Sequence, residues 1–432
     1  MMMTCSFTGR PTDFPVMSKT TGHVYEKEEI EKHIRDYGKC PVTGRLLTMD
    51  DIKPIIMRKV PVQAPNGSFS SNSKTAEESS CPRIPPRIAK EIKVTRRELS
   101  EHRIDLYREI STSLATADAP LQGYIFNNSY TLHKTIMPGV LSMDIDNSKG
   151  IIATGGADTN AVVFDLSSRK TVSKLSGHSE KVTSVKFVNE GELVVTGSGD
   201  NTVRVWQRSK KGSYKCMHIL GHHTAEVRAV TIHPTQKYFV TASFDCTWQL
   251  YDLASESSVA CCKGSESFSN AVFHPDGRIL GTCTSGLVRL WDVAKQDDIL
   301  QIDHHKGSDV TSIAFSGNGY TLATAAGEGV KLWDLRFLRT MKTFVSSYDK
   351  DTKTRSVEFD HSGKYLATGG AHISIYETDV AAVPDPIATF SDISGMGDLS
   401  CVKFGKDAKY VAAARKLDSK LLLFGLSEGN QT

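Results

Sequence analysis

Histidine, hydroxyl, carboxylate and indole side chains gather in the stretch from Gly177 to Trp206, as His178, Ser198, Asp200 and Trp206. A histidine with a carboxylate and a hydroxyl is the equipment of general acid–base and nucleophilic catalysis. His222 and Asp245 repeat part of the set further on. Metal ligation is the other chemistry on offer, in the doublets His222-His223 and His304-His305 and in the scattered Cys5, His23, His33 and Cys40. Each doublet lies near a glycine in a loop-like segment, without cysteine or acid at ligand spacing, and reads as a pair of loop histidines. The four N-terminal residues are too few and too irregular for two tetrahedral zinc sites. The sequence carries neither a phosphate-binding glycine loop nor a paired-carboxylate site. Neither a cofactor nor a metal is expected.

The elements that must hold these residues are short strands. Within GHSEKVTSVKFVNEGELVVTGSGDNTVRVW, three alternating runs are separated by turns at Asn189-Glu190-Gly191 and Gly199-Asp200-Asn201. Such alternation, broken by Gly, Asn and Asp, marks antiparallel strands. The unit recurs. Its closing dipeptide reads Phe164-Asp165, Trp206-Gln207, Tyr251-Asp252, Trp291-Asp292, Trp333-Asp334, Tyr376-Glu377 and Phe424-Gly425, about 40–48 residues apart. The preceding strands line up too, as IIATGGAD, LVVTGSGD, YFVTASFD, ILGTCTSG, TLATAAGE, YLATGGAH and YVAAARKLD.

These copies resemble WD repeats, and seven of them imply a closed seven-bladed β-propeller. A large β-sandwich is the alternative. In WD repeats the Gly-His histidine, a strand hydroxyl, the turn Asp and the Trp form a buried hydrogen-bond chain. The resemblance therefore turns His178, Ser198, Asp200 and Trp206 from a catalytic set into a structural one, with His222 and Asp245 doing the same in the third blade. Ser285-Gly286 and Gly327-Glu328-Gly329 stand where that Asp would be in the fourth and fifth blades, which should lack the chain.

Composition excludes some classes of protein. The 432 residues carry a net charge of +3, too small to imply nucleic acid without a clustered patch. No apolar run reaches the roughly 18 residues of a membrane span, and the start MMMTCSFTGRPTDF lacks the apolar core of a signal peptide. The nine cysteines are odd in number and unpatterned, which suits a reducing compartment.

Residues 1–57 differ from the rest. They read as a loop, a hairpin, a helix with Ile30 and Ile34 on one face and Gly38 at its end, and a second loop. Cys5-Ser6-Phe7, Pro15-Val16, His23-Val24-Tyr25-Glu26, Ile30-Glu31-Lys32, Pro41 and Leu47 are similar to a U-box. A U-box followed by WD repeats resembles the pre-mRNA-processing factor nineteen family. That resemblance implies a ubiquitin ligase of the spliceosome, nuclear, with a part in DNA repair. Its loops would be held by hydrogen bonds and ion pairs in place of zinc. Phe7, Thr8, Pro41 and Val42 would touch a ubiquitin-conjugating enzyme, and the propeller would bind protein substrates or spliceosomal proteins. Contact with nucleic acid would be indirect and no membrane is involved. A non-catalytic scaffold of a splicing complex remains the alternative, and a WD adaptor outside the nucleus would leave the U-box unexplained.

Residues 58–86 read as a flexible linker rich in Ser, Asn and Pro. Residues 87–116 read as a helix with Ile92, Leu99 and Leu106 at heptad spacing. The family carries a longer coiled coil here that assembles a tetramer. In this chain Thr95, His102 and Glu109 break the alternate seam, so a monomer or weak dimer is expected. Arg87, Lys90, Lys93, Arg96, Arg97 and Arg103 read as a solvated face. The propeller spans 121–428. Because SEGNQT is too short for a last strand, residues 130–136 are expected to close the ring as the outer strand of the seventh blade.

Overall fold

The computed structural model describes residues 15–18, 24–42, 45–54, 82–113, 124–134 and, with short breaks, 138–425. Most of them form seven four-stranded antiparallel sheets, the blades of a propeller. Six blades are continuous in sequence, at 140–176, 182–220, 227–263, 270–302, 310–345 and 356–390. The seventh joins 399–425 to an eighth stretch from the other end of the domain. The first strand of each blade lies against the first strands of both neighbours, and the last meets the first to complete a ring.

The second strands explain why the repeats are so legible. Ile151–Gly156, Tyr238–Ser243 and Tyr365–Gly369 are buried along their whole length. A sheet packed between two others hides both faces, so its central strands are continuously apolar or small. Outer strands such as Lys170–Ser176 are largely exposed and alternate with polar residues. In six blades the ladder between third and fourth strands slips one residue just before the closing aromatic, for example between Val205 and Trp206. Such a bulge adds the local twist that turns each outer strand out of the ring.

The core is divided among the seven interfaces between blades. Val163, Val185 and Trp206 fill the first, Val195, Val227 and Phe239 the second, and Leu290, Ile313 and Trp333 the fourth. Each fully buried aliphatic side chain is worth about 1.5–3 kcal/mol. Hydroxyls tie the inner edges together. Thr183, Ser269, Thr311 and Ser400 each reach one carbonyl of their own blade and one of the next, Ser400 bonding Val140 O at 2.7 Å across the closure.

Closure differs from expectation in its register. The outer strand of the seventh blade is Ile125–Thr131, not 130–136, and it pairs antiparallel with Lys420–Gly425. Tyr124 is buried in the interface between blades six and seven, and Phe126 packs edge-on against Phe424 at 5.8 Å. Past Thr131 the chain is committed elsewhere, because His133 turns into the first blade.

Helix α1 (Lys27–Tyr37) belongs to the small N-terminal unit. It follows from the strand Val24–Glu26, which pairs with Pro15–Ser18, which pairs in turn with Ile52–Pro54. Ile30 and Ile34, at i and i+4, meet Val16, Tyr25, Cys40 and Leu47. Gly38 ends the helix at φ 63°, its N–H on Ile34 O.

Helix α2 (Pro86–Ser113) is the main departure from the sequence reading. Ile88 and Ile92 are buried not in a coiled-coil seam but among Trp248, Phe268 and Trp291, at the interface of blades three and four. Glu91 accepts from Lys237 Nζ at 2.7 Å and Tyr238 Oη at 3.0 Å. Arg103 is not part of a solvated face. It is buried, 2.6 Å from Asp276, with its guanidinium over the Tyr320 ring. Before the helix, Ile84 N–H donates to Gln296 Oε1 and Pro82 O accepts from Cys261 N–H. Arg87, Lys90, Lys93 and Arg97 do face solvent. The helix is a strap docked on the propeller.

Candidate functional site

The residues with catalytic chemistry are tied up in the interior. In the second blade Trp206 Nε1 donates to Thr196 Oγ1 at 2.9 Å, and Thr196 Oγ1 lies 2.8 Å from His178 Nε2. His178 Nδ1 lies 2.8 Å from Asp200 Oδ2. The arrangement fixes the tautomer: Nδ1–H donates to the carboxylate and Nε2 accepts from threonine. Asp200 also takes the Ser179 N–H at 3.0 Å and the Thr202 hydroxyl at 2.6 Å. Burial would raise its carboxyl, but Thr202, His178 and Ser179 outweigh that and hold it at about 2. Burial in turn lowers His178 against the pull of Asp200, so the imidazole is neutral. A histidine whose side chain is 0% exposed can reach no substrate.

Two sequence assignments are corrected here. The hydroxyl is Thr196, not Ser198. Thr196 lies opposite Arg204 in the ladder, within reach of the Trp206 indole, whereas Ser198 lies beyond a register shift at the strand end. Ser198 Oγ instead donates to Glu180 O and accepts from Asp200 N–H, bracing the turn. In the third blade the histidine is His223, not His222. His223 bonds Asp245 Oδ2 at 2.8 Å and Thr241 Oγ1 at 2.7 Å. His222 is exposed, packs against Tyr251, and gives only its carbonyl, to Gln249. One extra loop residue separates the outer strand from the working histidine at this junction.

A third copy was missed: His133 joins Asp158 at 2.8 Å and Thr154 at 2.9 Å. Its signal was available, since His133 follows the strand Ile125–Thr131 as His178 follows Lys170–Ser176. Blades four and five keep half the chain, Trp291 to Thr282 at 2.8 Å and Trp333 to Thr324 at 2.9 Å, with no histidine or aspartate joining it among the described residues. His304 and His305 lie outside the described residues.

What the chain exposes is surface for partners. In the N-terminal unit, Cys40 N–H donates to Arg45 O and Leu47 N–H to Gly38 O, so the turn holding Pro41 and Val42 projects from a closed base. Val42, Leu46 and Met49 are exposed there, Leu46 at 79%. Asp51 accepts from the Thr48 N–H and hydroxyl, fixing the following segment. Phe7 and Thr8 lie outside the described residues. Around the channel of the propeller, Lys186 pairs with Asp144 at 2.9 Å and Lys403 with Glu358 at 2.7 Å. Burial alone would lower Lys403, but Glu358 and Asp144 prevail and keep it protonated.

Seven four-stranded blades, the second laced by a complete His–Asp–Thr–Trp chain and the first, third, fourth and fifth by parts of one, define a WD-repeat propeller protein. The model of the WD domain, G-beta repeat, matches residues 169–207, 214–252, 256–292 and 297–334. Each match begins near the outer strand of one blade and runs into the next, the same offset that hands the first strand of the domain to the last blade. The chain is 41% identical to pre-mRNA-processing factor 19 of Oryza sativa subsp. japonica, over 98% of this chain and 97% of the relative. It is 39% identical to pre-mRNA-processing factor 19 homolog 2 of Arabidopsis thaliana over the same shares. It is 32% identical to the Bos taurus pre-mRNA-processing factor 19 over 68% of this chain and 57% of the relative. The chain belongs to the pre-mRNA-processing factor 19 family.

Residues 1–44 match the model of a zinc-finger of the MIZ type in Nse subunit. The described residues do not fit a zinc ion. Among them no three His, Cys, Asp or Glu side chains converge, and the Cys40 sulfur is buried in the apolar core, 3.0 Å from the Tyr25 hydroxyl. Cys5 and His23 lie outside the described residues.

Proposed function

We propose that this chain is a ubiquitin ligase acting in pre-mRNA processing in the nucleus. Its N-terminal unit is a U-box that recruits a ubiquitin-conjugating enzyme, and its propeller holds spliceosomal partners or substrates. The observation that carries the reading is the turn at Pro41 and Val42, with Leu46 and Met49 exposed beside it on a base braced by hydrogen bonds. Apolar side chains held outward on a rigid small domain are what a protein partner uses as anchors. The pre-mRNA-processing relatives supply the setting. In this reading the unit itself forms no covalent intermediate. Its effect on rate would be positional, holding a ubiquitin thioester in reach of a lysine.

Autoubiquitination of the full chain with a panel of conjugating enzymes tests the proposal. Phe7→Ala with Pro41→Ala, and separately Val42→Ala with Leu46→Ala, should each slow transfer about 10-fold or more. Circular dichroism should stay unchanged for the Val42/Leu46 pair, whose side chains are solvent-facing. Undiminished chain formation by both double variants removes the ligase reading and leaves a scaffold for splicing partners.

A further inference from the structure

A cavity of about 530 Å³ opens on one face of the propeller where blades one, two and three meet. It is lined by the end of the strand Val140–Asp146, the end of Val182–Val188, the turn Asn189-Glu190-Gly191, and Gln236 from the corresponding turn of the third blade. Its charge is not balanced. Asp144 already holds Lys186. Asp146 has spent one oxygen, Oδ1, on the Ser148 N–H at 3.0 Å and hydroxyl at 2.7 Å. The other oxygen, Oδ2, is buried and has no hydrogen-bond partner among the described residues, although Asp146 itself is 8% exposed. Glu190, exposed at the mouth, makes no ion pair among the described residues either.

The turn runs tight against that oxygen without giving it a donor. Gly191 stands at φ 71°, and a Cβ in its place would come 2.7 Å from Asp146 Oδ2. Any other residue would strain the turn and cap the carboxylate. Asn189 and Glu190 also take positive φ, 49° and 52°, so the chain holds an unfavourable path here for two more residues. Buried acceptors are almost always given a donor. An aspartate lining the cavity with one buried oxygen unpartnered, and a second carboxylate at the rim, suit a cationic one. Phe187 and Ile145 supply an apolar wall along which a methylene stem can lie with its charged head inward. A metal ion is disfavoured, because no three ligating side chains converge among the described residues.

We propose that this pocket receives a cationic side chain, arginine or lysine, from a peptide segment of a protein partner. The site rests on the reading of the propeller as the docking domain but not on ubiquitin transfer, and its test involves none. The probe is acetyl-Gly-Gly-Arg-Gly-Gly-amide, compared with the same peptide carrying neutral citrulline, against the full chain by ligand-observed NMR.

The arginine peptide should bind saturably and the citrulline peptide should not. Salt at about 0.5 M should weaken binding severalfold, since the site is partly open to solvent. Asp146→Asn should weaken it about 10-fold or more, the worth of one charge-assisted hydrogen bond. Glu190→Lys, at an exposed position that leaves folding intact, should abolish it. Absence of saturable binding to the unaltered chain overturns the proposal, as does undiminished binding by Glu190→Lys. If Asp146→Asn fails to fold, the Glu190→Lys result alone decides. Loss of ligase activity elsewhere in the chain leaves this outcome unaffected.

Discussion

Replacing Ile92 by alanine should undock helix α2 without unfolding the propeller. Ile92 is 1% exposed and Ile88 9%, both within the cluster that includes Trp248 and Trp291. Truncating a buried isoleucine to alanine costs about 2–5 kcal/mol. A docked helix can settle inward on the shortened side chain, so the lower end applies, about 2–3 kcal/mol. Docking itself draws on Ile88, Ile92, the Glu91 contacts and the Arg103–Asp276 pair, so one substitution removes a large share of it. An opening free energy smaller by 2–3 kcal/mol raises amide exchange in α2 by about 30–150-fold. Hydrogen exchange read by mass spectrometry on peptides from 86–105 would show this, while peptides from the second strands stay protected. Val94→Ala, at a residue 53% exposed, should change nothing. The reasoning is refuted if α2 exchanges at the same rate in Ile92→Ala and the unaltered chain. It is refuted equally if protection of α2 rises with protein concentration, because the helix would then be held by a second copy along Leu99 and Leu106.

The hydrogen-bond chains give a contrast at one doublet: His223→Ala should cost about 1–3 kcal/mol in thermal or urea unfolding and His222→Ala close to nothing, and equal effects would mean the assignment is wrong. Stability should depend on pH through His133 and His178, both lowered chiefly by burial, and His233, lowered by burial to about 4. Groups whose folded pKa lies below the unfolded 6.5 stabilise fully above 6.5, and that contribution is lost as pH falls towards 4. Asp200, held at about 2, adds a further loss between about pH 4 and 2. A melting temperature that is level from pH 8 to 7 and falls below 6.5 is expected, and a level one down to pH 5 would contradict this. Finally, a chain truncated to begin at Met137 should melt well below one beginning at Pro120, since it lacks both the strand Ile125–Thr131 and His133. Equal melting temperatures would show that the ring does not depend on that strand.

The propeller was legible because its repeats obey local rules that tertiary structure reinforces. Burial on both faces makes TLATAA, or YVAAA before Arg415, continuously apolar or small, and the closing aromatic follows at a similar distance. The misplaced residues are those where two neighbours satisfy the local rule equally. Thr196 and Ser198 lie two apart on one strand face, and only the ladder register says which the indole reaches. His222 follows the glycine as His178 does, yet the separation of 22 residues from histidine to aspartate, common to His178–Asp200 and His223–Asp245, picks His223. Tyr130 and Thr131 belong to both the expected and the observed closing strand, whose start is set by Tyr124 and Phe126 meeting the far end of the domain.

Helix α2 failed for a different reason. Its buried stripe is Ile88, Ile92, Ser100 and Arg103, too polar for a partner helix but complementary to a surface that offers Asp276 and Tyr320. A sequence shows that a face is amphipathic, not what it meets. Ile88 and Ile92 meet Trp248, Phe268 and Trp291 between blades three and four, while Glu91 and Arg103 reach residues at or beside the turns between first and second strands: Lys237 and Tyr238 in the third blade, Asp276 in the fourth, Tyr320 in the fifth. The pocket at Asp146 uses the same class of turn in blades two and three. Among the described residues the helix thus occupies these turns in blades three to five, and the pocket lies beside it at blades one to three. Docking also fixes where the tether to the N-terminal unit begins, at Pro82 beside Cys261. The 27 residues from 55 to 81 can span at most about 97 Å. Tethering replaces bulk encounter by a local concentration set by that span. Under the proposed ligase function, a conjugating enzyme carried by the N-terminal unit would be brought within that reach of a lysine on a partner held by the propeller. Undocking α2 would move the start of the tether by the length of the helix, about 40 Å. The Ile92→Ala variant should therefore change which lysines of a bound partner receive ubiquitin while leaving transfer to free lysine unchanged. An identical site pattern would show that α2 has no part in positioning.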